Sequence, residues 1–158
     1  MNEMNVGSSP YEAPSADLEV EGVGKGISNF ERFSAWGVFG LSFITLGIYP
    51  VYWLYTRSKV LNSFSDNEIP LNLLNILIGV VIISFATSFL SGFMPENNSL
   101  LTLNGLSSLA YMVLYLVVLF KFRNRLRDIT NTKISGIITF FGSAIYLQYK
   151  INEAIDGQ

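Results

Sequence analysis

Few side chains in this sequence could carry acid–base or nucleophilic chemistry. It contains no His and no Cys, which excludes an imidazole base, a thiolate, disulfides and the usual zinc ligand sets. Beyond the first thirty-one residues the only acids are Asp66, Glu68, Glu96, Asp128, Glu153 and Asp156. No two of them stand at a spacing that converges on one reacting group, and Asp66 and Glu68 in FSDNEIP read as a solvated loop. General acid–base work needs a titratable group near neutrality, and no G-x-S-x-G elbow or phosphate loop supplies another chemistry. The expectation is no catalytic residue, no cofactor and no metal.

Polar side chains at helical spacing are more informative. Asn104, Ser108, Tyr111 and Tyr115 fall on one helix face, and Ser84, Ser88 and Gly92 follow at four-residue steps. Small residues let helix backbones approach, while Asn, Ser and Tyr hydrogen-bond across the contact. This face serves helix packing, within a hairpin or between subunits, or else a polar path for a solute or ion. The surrounding stretches lack Asp, Glu, Lys and Arg to mark a path, which favours packing.

Two further groups could recognise a surface. Gly47, Tyr49, Pro50, Tyr52, Trp53, Tyr55, Arg57 and Lys59 run from apolar through aromatic to cationic, the order of side chains across a membrane–water boundary. They read as an interfacial anchor, with Tyr52, Tyr55 and Lys59 on one stripe and Tyr55 and Lys59 spaced for a cation–π contact. Lys121, Arg123, Arg125, Arg127 and Lys133 place five cations in thirteen residues. They read as topogenic charges that attract anionic lipid head groups.

The elements that must position these residues follow from charge and hydropathy. Half of the 158 residues are apolar and only 14% charged, where a soluble domain carries about 25%. Mean hydropathy is +0.40. No charge falls within 33–56, 69–95, 97–120 or 134–149. Leu71 to Gly92 has the length of a membrane span, Leu100 to Phe120 matches it, and MPENNS between them is a surface turn. Arg57 and Lys59 on one side and the five-cation stretch on the other put 57–69 and 121–133 in the cytoplasm and 93–99 outside. Segment 134–149 could be a short span or a re-entrant piece.

Segment 33–56 contains its own interruption. Pro50 cannot donate to the carbonyl four residues back, whereas Gly47 is the residue type that closes one helix and Pro50 suits the first position of the next. The chain either kinks there or turns back on itself. A spanning, kinked helix leaves fewer backbone groups unsatisfied in lipid, so four helical segments with a kinked first are expected.

Residues 1–29 hold few large apolar side chains and read as a disordered tail. Residues 1–31 carry six acids against one base, and the remainder six acids against nine bases. That excess is too small to argue for nucleic acid. The tail lacks an early apolar run, so no signal peptide is expected.

Thr45-Leu46-Gly47-Ile48-Tyr49 followed by Tyr52-Trp53-Leu54-Tyr55 resembles the T-x-G-[IL]-Y-x-x-Y-W-x-Y signature of an uncharacterised bacterial family of small membrane proteins. Gly142 with Tyr146-Leu147-Gln148-Tyr149-Lys150-Ile151-Asn152 resembles that family's closing element, and PYEAPSADL resembles a PYxAP element that opens many small inner-membrane proteins. The resemblance implies an integral inner-membrane protein and brings no activity with it. The two longer motifs also resemble each other, Ile44-Thr45 preceding Gly47 as Ile138-Thr139 precedes Gly142.

The sequence thus reads as an all-α, multi-pass protein of the bacterial inner membrane, with a tail over 1–29 and a helical membrane domain over 30–158. Its expected role is a non-enzymatic assembly module, partnered by membrane lipids and by itself or another membrane protein. The alternatives are a small oligomeric transporter or channel component, and an enzyme acting on a lipid-like substrate near Tyr52, Trp53 and Arg57.

Overall fold

The computed structural model describes residues 26–157. The tail expected over 1–29 lies outside them as far as residue 25, and so does its PYxAP element. Residues 27–29 of that stretch form a turn of 3₁₀ helix with Ile27 buried. Helices α1 (Ala35–Ile44), α2 (Ile48–Asn62), α3 (Leu71–Phe93), α4 (Asn98–Thr130) and α5 (Gly136–Asp156) follow, with no strand among the described residues. The all-α expectation holds.

Two helices are long and apolar enough to cross a membrane, not four. Helix α3 starts at Pro70, where the missing N–H costs nothing, and its 23 residues extend about 34 Å. Helix α4 is capped by Asn97, whose side chain accepts from the Leu100 N–H at 3.0 Å. The two pack antiparallel as the most extensive contact in the molecule. Only 28% of the most apolar stretch of α3 and 17% of that of α4 is buried. A soluble core helix of such hydropathy would be covered by protein. Here Ile82, Phe89 and Leu106 point outward.

The first segment is two helices rather than one kinked span. Helix α1 has 10 residues, about 15 Å, half of what a hydrocarbon core requires. It ends in a Schellman turn: the Leu46 N–H donates to the Phe43 carbonyl and the Gly47 N–H to the Ser42 carbonyl. The left-handed position belongs to Leu46 (φ 51°), with Gly47 also at positive φ. Thr45 joins the two helices, its hydroxyl donating to the Leu41 carbonyl at 2.7 Å and accepting from the Tyr49 N–H at 2.9 Å. Pro50 breaks nothing. It lies in the first turn of α2, where backbone N–H groups have no helical partner. The chain then comes back beside its own entry: Phe33 and Tyr49 rings stand 6.4 Å apart, and Arg57 reaches the Glu31 carbonyl.

Segment four is no span either. At Ser143 the backbone leaves helical geometry (φ 46°, ψ −133°) and α5 reverses. The Tyr146 hydroxyl accepts from the Ser135 N–H at 3.1 Å. In a straight helix those residues would stand about 16 Å apart along the axis. Gly142 lies against Tyr146, and Tyr115 of α4 meets the Ser143 hydroxyl at the apex.

Ser143 occupies backbone space that glycine enters without penalty and other residues enter at about 1–3 kcal/mol. Ser143→Ala keeps that cost and loses the Tyr115 contact, whereas Ser143→Gly loses the contact and the cost together. The glycine variant should therefore melt higher than the alanine variant in detergent. An alanine variant at least as stable would mean that the turn is unstrained.

Candidate functional site

A water-excluding lobe forms where α2, the last third of α4 and the returning half of α5 meet. Trp53, Leu54, Leu61, Leu119, Phe122, Leu126, Leu147 and Ile151 are all buried there. The helix of α4 runs ten residues past Phe120 because Phe122 and Leu126, one turn apart, face this lobe while Lys121, Arg123 and Arg127 do not.

Trp53 is the lobe's centre and not a membrane-boundary anchor. It is 2% exposed, its ring stands edge-on to Phe122 at 5.4 Å, and its indole N–H donates to Gln148 Oε1 at 2.7 Å. Gln148 Nε2 donates to Asn152 Oδ1 at 2.9 Å, and Asn152 Nδ2 donates to the Phe33 carbonyl at 2.7 Å. This relay ties three separate parts of the chain together. It also joins the Thr45–Tyr55 motif to the closing element over Gly142–Asn152 in space. Gln148 and Asn152 were missed as site residues because only the fold brings them to Trp53.

Beside the relay, Glu31, Tyr49, Tyr52, Thr56 and Arg57 line a cleft of about 440 Å³. Tyr52 is exposed at its mouth and Arg57 is buried at its wall. One guanidinium N–H of Arg57 donates to the Glu31 carbonyl at 3.1 Å. Burial pushes the Arg57 guanidinium below its usual range, opposed by the charges of Glu31, Tyr49 and Tyr52. Burial also raises Tyr49, against the pull of Arg57, so its hydroxyl stays protonated. Tyr55 and Lys59 point elsewhere, with Lys59 Nζ 5.6 Å from the Tyr55 ring centre as the spacing predicts.

The polar face of the hairpin is largely spent inside it. Asn104 Oδ1 accepts from Ser88 at 2.7 Å and Thr87 at 3.4 Å, while Ser84 pairs with Ser108 at 3.2 Å and Thr87 with Ser107 at 3.1 Å. Four of the expected residues, Ser84, Ser88, Asn104 and Ser108, are thus brought together. Thr87 and Ser107 join them, unforeseen because each sits one residue off the i, i+4 steps. Gly92 stands apart, with nothing within 4 Å of where its Cβ would be. The Tyr111 and Tyr115 rings stand 6.0 Å apart and tilted by 55°, and Tyr115 turns to α5.

The basic stretch does not form one patch. Arg123 donates to the Ile134 carbonyl, Arg125 to the backbone and side chain of Asn67, and Arg127 pairs with Asp128 at 3.3 Å. Two of the five cations, Arg123 and Arg125, therefore hold loops in place, while Arg127 pairs within α4. Lys133 is exposed. No group of three or more metal-ligating side chains occurs among the described residues.

Residues 33–128 match the family described as Domain of unknown function (DUF4234). No curated protein and no solved structure matches the chain. The matched span takes in α1 to α3, nearly all of α4, Trp53, Arg57 and the hairpin's polar cluster, and stops before Gln148.

Proposed function

The chain belongs to the DUF4234 family, and from that premise we propose that it is a non-enzymatic, multi-pass protein of the bacterial inner membrane. In this reading α3 and α4 cross the bilayer, α1–α2 and α5 dip in and return, and the lobe faces the cytoplasm. The observation that carries it is the outward apolar surface of the hairpin. Burying that surface in protein would require a partner along both helices, whereas hydrocarbon covers it directly. The exposed tips at Phe43, Leu46, Ile137 and Phe141 belong to the same solvent.

Orientation rests on the basic residues, which flank the lobe end of the hairpin and not the Met94–Asn97 turn. The role is that of an assembly module. Because the Ser and Asn face is consumed within the hairpin, contact with a second copy or another membrane protein falls to outward positions such as Gly92. The internally paired hydroxyls favour this reading over a polar path for solutes.

Absence of cysteine from the chain makes the topology directly measurable. Glu96→Cys should react with an impermeant maleimide in intact spheroplasts. Ser28→Cys and Lys133→Cys should react only after permeabilisation, since re-entrant segments keep both on the lobe side. Labelling of Ser28→Cys from outside would mean that the first segment crosses. Recovery of the chain in the soluble fraction without detergent would end the membrane reading altogether.

A further inference from the structure

We infer that the Arg57 cleft binds the head group of an aminophospholipid, its phosphate on Arg57 and its ammonium between the Glu31 carboxylate and the rings of Tyr49 and Tyr52. This rests on the membrane reading above and names the ligand of one place in it. The shared chemistry is a phosphodiester bearing a primary ammonium, which a lipid or its water-soluble glycerol ester could present.

Four observations converge. First, Arg57 is 9% exposed, yet no carboxylate lies within ion-pairing distance of it among the described residues. A buried cation with no carboxylate in direct contact is costly, even with the Glu31 charge nearby. Its guanidinium has five N–H donors, in a fork that fits phosphate oxygens, and among the described residues only one has a protein acceptor. Second, Glu31 lines the same cleft without being paired to Arg57. A simple anion would be repelled by it, and a zwitterion would use it.

Third, Tyr49 and Tyr52 stand 6.1 Å apart and tilted by 42° on that wall, aromatic faces of the kind that attract an ammonium. The cleft's 440 Å³ falls within the range of small-molecule sites. Fourth, the cleft lies back from the exposed apolar tip. Arg57 follows Ile48 by nine residues of α2, about 14 Å of helix, which in the re-entrant reading above sets it on the head-group side of that tip.

The test uses the full chain in detergent micelles, titrated with phosphatidylethanolamine, phosphatidylglycerol, phosphatidylcholine or glycerophosphoethanolamine, with retained molecules counted by native mass spectrometry. Phosphatidylethanolamine should be retained in preference to the other two lipids. Arg57→Lys should weaken retention of all three lipids by about tenfold, having lost the forked contact. Glu31→Gln, at an exposed position, should fold as wild type and erase the preference for phosphatidylethanolamine over phosphatidylglycerol. Tyr52→Ala should weaken phosphatidylethanolamine alone. Retention of glycerophosphoethanolamine by protein that holds no lipid would keep the chemistry and assign it to a soluble ester. Wild-type retention and preference in both Glu31→Gln and Arg57→Lys would overturn the inference. Failure of the membrane reading would appear separately, in the cysteine-labelling pattern, which these substitutions do not touch.

Discussion

Trp53→Ala is expected to destabilise the lobe by about 3–5 kcal/mol, the usual cost of removing a large buried aromatic side chain. The packing part arises because Trp53 is 2% exposed and edge-on to Phe122, so its loss leaves a cavity. The polar part arises because Gln148 is fully buried and its Oε1 accepts the hydrogen bond of the indole N–H at 2.7 Å. Leaving such an acceptor unpaired costs about 1–3 kcal/mol by itself. Trp53→Phe separates the parts by retaining most of the volume while orphaning Gln148. A second change, Gln148→Met, removes the orphaned oxygen and the donor to Asn152 at once. Thermal unfolding in detergent should rank wild type above Trp53→Phe, and Trp53→Phe above Trp53→Ala. In the double-mutant cycle the two single changes should sum to more than the double variant costs. Additive behaviour would show that the hydrogen bond contributes nothing and that Trp53 acts by bulk alone.

That prediction is opposite in kind to what residue order alone implied for Trp53. Aromatic residues next to cations are the pattern of a membrane boundary, and Tyr52 is exposed beside the cleft. Trp53 escapes that pattern through a partner 95 positions away, a distance at which periodicity carries no information. Helices α3 and α4 are legible because long charge-free apolar stretches mark helices long enough to cross a membrane. The predicted span 71–92 differs from α3 by one residue. Helix α4 was read as stopping at Phe120, since charge marks the end of hydrocarbon but not the end of a helix.

Reversals were harder to see. At the first, Gly47 announced a helix end correctly, while Leu46 took the left-handed position that glycine usually fills. A leucine there costs about 1–2 kcal/mol, and its propensity gives no warning. Pro50 fits the opening of a second helix after Gly47, because the harm proline does depends on its turn of the helix and not on its presence. At the second reversal Gly142 was noticed, but the residue that leaves helical space is Ser143. Neither serine's propensity nor the apolar run around it encodes a turn. The reversal is held instead by Tyr115, Tyr146 and the lobe behind them.

The hairpin supplies the other large expected effect, and with it a separation between folding and assembly. Ser84 and Ser107 are 6% and 7% exposed at the α3–α4 contact. Leucine at both positions removes the Ser84–Ser108 and Thr87–Ser107 pairs, each worth about 0.6–1.7 kcal/mol between membrane helices. It also forces added volume into a close contact, at about 1–3 kcal/mol per site. The double variant should lose several kcal/mol and become protease-sensitive in membranes. Gly92→Leu should do neither, since no atom lies within 4 Å of its Cβ position. If the outer surface of α3 is where copies or partners meet, Gly92→Leu should lower crosslinked oligomer while leaving the melting temperature of the monomer unchanged. An unaltered crosslinking pattern would remove α3 near Gly92 as the assembly surface. A lowered melting temperature of the monomer would show that Gly92 serves the chain's own fold and not assembly alone.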